Sequence, residues 1–151
     1  MRIVKALAML ASTLGFALVL SGCSHVIVGD QSTRVQWHGQ VYVVDGDDCP
    51  GLVKVTALLT TAKTASLHNE TARVTTDLLT ARTDLSVQES LAPDETKEAL
   101  GDLNYFVTTS AQELLGDPIG KLGWPRPKNT AKFKNSLATA LDLGRALTTR
   151  C

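Results

Sequence analysis

The residues of this chain that could do chemistry are three histidines, three cysteines and a few clusters of acids. His25, His38 and His68 stand far apart, none with a second ligand three or four residues on, so they do not form the spacing a zinc site requires. Asp45, Asp47 and Asp48 could offer oxygens to calcium, but the EF-hand loop with its closing Glu is absent, and solvated turn acids explain them. Asp94, Glu95 and Glu98 lie together, at a helix start where the dipole favours acids without any catalytic role. No Gly-x-Ser-x-Gly elbow and no phosphate-cradling loop between a strand and a helix occurs. Gly116, Gly120 and Gly123 read as turn residues. The sequence therefore carries no recognisable catalytic constellation, and we expect no enzyme activity, no metal and no cofactor.

The first 23 residues say where the chain works. Arg2 and Lys5 form a basic start, Ala6 to Leu20 is an uncharged apolar run too short for a comfortable membrane span, and Leu20-Ser21-Gly22-Cys23 follows. This ending resembles the lipobox of bacterial lipoproteins. The resemblance implies a diacylglyceryl group on the Cys23 sulfur, cleavage before Cys23 and, commonly, acylation of the new amino terminus, palmitate being a usual chain. The alternative is an ordinary secretory signal with an incidental Cys23. One acyl chain holds a protein marginally, at about 0.8 kcal/mol per buried methylene, whereas two or three hold it stably. The resemblance thus places the mature chain on a membrane, outside the cytoplasm. In an enteric-type Gram-negative host, Ser24 after the cysteine implies the outer membrane, the domain facing the periplasm or the cell surface. Residues 1–22 would be the signal, 23–48 a lipid-anchored tether with a hairpin, and 49–151 a helical domain.

Without residues 1–22 the chain keeps 129 residues, with 13 basic and 15 acidic side chains and a formal charge of −2. That length suits one domain, and that charge argues against a nucleic-acid binder. With Cys23 carrying lipid, Cys49 and Cys151 remain in an oxidising compartment, where a disulfide between them is expected. An intermolecular bridge through Cys151 is the alternative.

Thr33–Trp37 and Gln40–Val44 read as two strands joined by His38-Gly39, with Val35 opposite Tyr42 and Trp37 opposite Gln40. Val26–Val28 could add a third strand, and residues 45–51 read as a turn. From Leu52 to Ser90 there is no Gly or Pro. Val74, Leu78, Ala81 and Leu85 form a helical stripe, flanked by the series Leu58, Ala65, Ala72, Leu79. Ala92-Pro93 ends this segment, and Pro93 opens a helix with Ala99, Leu103, Phe106, Val107, Ser110 and Leu114 on one face, stopping at Gly116. Asn129 or Thr130 caps a last helix with Phe133, Leu137, Ala140, Leu141, Gly144 and Leu147 inward. The fold class is mainly α, a helical bundle behind a short β-hairpin, closed by a disulfide. An up-down-up arrangement would hold the cysteines too far apart for the ~5.5 Å Cα separation a disulfide needs. Either the long segment breaks near Ser66–Asn69 into two helices, giving four antiparallel ones, or it stays whole with the later two end to end along it. The four-helix arrangement closes the better core.

Two features stand out as partner-binding surface. One is Trp124 with Ile119, Lys121, Leu122 and Arg126 on the loop between Gly116 and Asn129, an aromatic anchor unless it folds back to cap the core. The other is the ribbon with Trp37 and Tyr42, unless it packs on its own bundle. The function these features favour is a lipid-anchored envelope module that binds another envelope protein without catalysis, in an inhibitory, scaffolding or phage or plasmid (superinfection) exclusion role. Its alternative is a carrier of lipid or a small ligand in an apolar groove between helices.

Overall fold

The hairpin is set by its turn. In the computed structural model, which describes residues 32–116 and 128–151, His38 and Gly39 both take positive φ, 49° and 86°, as a two-residue turn that matches strand twist requires. Strands β1 (Thr33–Trp37) and β2 (Gln40–Val44) pair antiparallel, with Val35 opposite Tyr42 and Trp37 opposite Gln40. Val35, Tyr42 and Val44 face inward and are buried. β2 lies on the third helix and β1 on the fourth.

Four helices follow: α1 (Cys49–Leu67), α2 (Thr71–Leu91), α3 (Asp94–Leu115) and α4 (Thr130–Thr148). A short 3-10 turn over Gly46–Asp48 leads straight into α1, where the Asp45 side chain accepts the Asp47 N–H. The turn expected over residues 45–51 is thus shorter than anticipated, and α1 begins at Cys49. Pro50 in the first helical turn explains this, since its fixed φ suits a helix start and its missing N–H costs nothing there.

The long apolar segment does break where the disulfide demands it. The break is a left-handed Asn69, φ 59°, with the Glu70 N–H donating back to the Ala65 carbonyl at 3.0 Å. That is the arrangement in which a helix ends on one αL residue, with Asn standing in for the usual Gly. The continuous-helix arrangement is therefore excluded. The flanking series is corrected in part, because Ala72 and Leu79 are exposed. The inward stripe of α1 is Leu52, Val55, Leu59, Ala62 and Ala65. In α2 it is the expected Val74, Leu78, Ala81 and Leu85.

Pro93 caps α3 rather than opening it. On α3, Ala99, Leu103, Val107 and Ser110 are buried, with Phe106 and Leu114 half-buried beside them. Asn129 caps α4, accepting the Lys132 N–H at 2.9 Å, and all of Phe133, Leu137, Ala140, Leu141, Gly144 and Leu147 are buried. Neighbouring helices pack in the closed order α1–α2–α3–α4–α1. Lys54 Nζ meets Asp84 at 2.9 Å and Thr61 Oγ1 donates to Asp77 at 2.9 Å, fixing α1 and α2 antiparallel. Cys49 and Cys151 are joined, their Cα atoms 5.4 Å apart. This puts both cysteines and the α2–α3 connection at one end of the bundle. The α1–α2 turn and the boundaries of the α3–α4 connection lie at the other.

Gly144 lets α1 approach α4 closely, since a Cβ there would sit 2.9 Å from Thr56 Oγ1. Gly51 does the same for Gln88, whose side chain lies where a Cβ would be.

Candidate functional site

The hairpin is bound to the bundle by donors that meet carboxylates. Tyr42 Oη donates to Asp102 at 2.8 Å, Gln40 Nε2 to Glu98 at 2.8 Å, and Trp37 Nε1 to Asp142 at 2.8 Å. His38 Nε2 lies 3.5 Å from the same Asp142 oxygen. Asp102 and Glu98 stand one helical turn apart on α3, so consecutive inward positions of β2 reach consecutive turns of one helix. Burial, and then the hydrogen bond to the negative Asp102, raise the Tyr42 hydroxyl far above the ordinary tyrosine range. The Trp37 ring stands edge-on to Phe106, centroids 6.1 Å apart. Tyr42 is 2% exposed and faces its own bundle, so of the two ribbon residues singled out for partner binding, this one serves the internal packing. Trp37 keeps one face in a shallow hollow with His38, Ala138, Thr139 and Asp142.

The end bearing the disulfide is acidic. Burial, with repulsion from Asp45 and Asp47, raises the Asp48 carboxyl above the usual carboxylate range. Among the described residues, no group of three His, Cys, Asp or Glu is placed to hold a metal ion, and no helix is long and apolar enough to cross a membrane.

The opposite end holds a cleft of about 270 Å³ between the α1–α2 turn, the end of α3 and the start of α4. Val74, Leu114 and Phe133 give it apolar walls, Glu113 contributes a carboxylate to its lining, and Ser66, Asn69, Lys128 and Lys134 give it a polar and basic rim. Leu67 and Leu115, 71% and 43% exposed, belong to the same end of the bundle. The Asn129 N–H donates to the Glu113 carbonyl at 2.9 Å, so the chain leaves α3 and enters α4 at one place. The arrangement offers apolar contact framed by two cations, with one largely buried carboxylate beside them.

Cys23 and the loop residues Ile119, Lys121, Leu122, Trp124 and Arg126 lie outside the described residues, as does Val26–Val28. The cleft was not foreseen. Leu114 and Phe133 carry the pattern of core positions, and only the run Lys128, Lys132, Lys134 beside the loop hints at a basic rim. Comparison of the chain with protein-family models, with curated proteins and with solved structures finds no match.

Proposed function

We propose that this protein is a lipid-anchored module of a bacterial envelope that acts by binding another protein, without catalysis. The observation that carries the reading is polarity along the bundle. Thr33 pairs with Val44, five residues before Cys49, so the chain enters the hairpin within about 17 Å of the start of α1 at ~3.3 Å per residue. The connection between Gly116 and Asn129 departs from the opposite end. Helices of 19 to 22 residues separate the two by about 30 Å at 1.5 Å per residue. Residues 23–32 can add at most about 30 Å more at ~3.3 Å per residue. An anchor at Cys23 would hold the disulfide end nearer the bilayer and present the distal cleft outward. Inhibitory, scaffolding and exclusion roles all need such a presentation.

Two measurements test the reading. The intact mass of the protein from its native membranes should carry a diacylglyceryl-modified Cys23 as first residue. Mild cross-linking on those membranes should recover one stoichiometric protein, whose affinity falls by about 2 kcal/mol or more for Trp124→Ala, as for an interface anchor. Unchanged affinity with intact folding would remove the loop from the interface, and bound lipid in place of any protein would favour the carrier.

A further inference from the structure

The charges of the bundle are sorted along its axis. At the disulfide end, residues 45–55, 86–99 and 144–151 hold seven acids against four bases. At the distal end, residues 61–77, 108–116 and 128–137 hold five bases against three acids. Of those three acids, Glu113 is largely buried in the lining of the cleft and Glu70 stands 3.6 Å from Arg73, while Asp77 accepts from Thr61. Lys128, Lys132 and Lys134 follow one another on the exposed side of the α4 start, two of them on the rim of the cleft.

We propose that the distal cleft takes an acidic polypeptide segment, seating one apolar side chain against Val74, Leu114 and Phe133 while flanking carboxylates meet Lys128 and Lys134. This rests on the protein-binding reading and names the partner's chemistry. The cleft volume matches a single large side chain and not an extended ligand. Cations at the rim reward carboxylates on either side of it, and their field steers an acidic partner towards this end. The acidic disulfide end repels such a partner and so confines its approach to the distal end.

The test presents a library of short random peptides to the full-length acylated protein in nanodiscs of zwitterionic lipid. Retained peptides should be enriched in Asp and Glu around one Leu, Phe or Trp. Their binding should weaken at least about ten-fold when salt shortens the Debye length from ~10 Å to ~3 Å. The double variant Lys128→Glu, Lys134→Glu, both exposed, should lose that binding by a similar factor with unchanged thermal unfolding, while Arg150→Glu at the other end leaves it intact. Retained peptides without acidic bias, or insensitive to the charge reversal, overturn the proposal and leave the protein-binding reading standing. Retention of no peptide at all overturns the proposal, and the protein-binding reading then falls only if cross-linking on native membranes also recovers no protein. Retention of anionic vesicles in place of peptides replaces the acidic segment by a lipid surface and overturns the proposal.

Discussion

Tyr42 is the side chain on which the hairpin's attachment turns. Its hydroxyl is held protonated by burial and by the neighbouring Asp102 carboxylate, so folding binds that proton more tightly than the unfolded chain does. The sign follows from linkage: the contribution is complete below the unfolded tyrosine pKa of about 10 and is lost as pH climbs beyond it. Denaturant unfolding should accordingly find stability falling above about pH 10, a fall that Tyr42→Phe reduces. At neutral pH the same variant should cost about 1 to 2 kcal/mol, because it removes a hydrogen bond to a charged acceptor. A variant that keeps the full alkaline loss would assign it to another group. The alternation of Val35, Trp37, Tyr42 and Val44 made the ribbon visible in the sequence. Its carboxylate partners were not visible there, because Glu98, Asp102 and Asp142 are far away along the chain and read as ordinary surface acids.

At the scale of elements, the helices follow from the spacing of apolar residues and from Pro93, Gly116 and Asn129. The division between α1 and α2 was the weak point. Ser66-Leu-His-Asn69 has no Gly or Pro, and local propensity alone would let a helix run through it. What selects the break is tertiary: the Cys49–Cys151 link needs an even number of antiparallel passes, and Asn69 tolerates the left-handed conformation the turn needs. The distal cleft was illegible for a related reason, since it exists only where three separate chain segments meet. Contact between elements also yields a prediction. In an isolated helix Gly144→Ala would gain about 1 kcal/mol of propensity. Here it should instead lose about 1 to 3 kcal/mol by overpacking, since the new methyl meets Thr56 Oγ1. The Thr56 hydroxyl is buried without a hydrogen-bond partner, so Thr56→Ala should be tolerated and should rescue Gly144→Ala in the double variant. Additive losses in chemical denaturation would show that the two sites do not share the contact.

The whole molecule is a closed ring of helices with the hairpin laid over α3 and α4. Cys49 and Cys151 are separated by 102 residues, a loop whose closure restricts the unfolded chain by about 4 to 5 kcal/mol on a chain-entropy argument. Cys151→Ser should lower stability by that order, and reducing agent should do the same to the unaltered protein while leaving the variant unchanged. A small effect in both would mean that helix packing already confines the ends.

The position of that link also governs how the molecule bears tension. A pull between residue 32 and the connection from Gly116 to Asn129 enters the ring at Cys49 and divides there. One strand of the load runs forward through α1, α2 and α3; the other crosses the sulfurs and runs back along α4. The shorter route, residues 129–151, limits how far the loaded points can separate while the disulfide holds, roughly 75 Å at ~3.3 Å per residue. Without the link, the limiting contour would be the forward route through three helices, several times as long. Among the described residues, the slack outside the ring lies in the hairpin segment, residues 33–48, whose ladder opens pair by pair from the Thr33–Val44 end. The hairpin is thus the extensible element and the helical ring the stop.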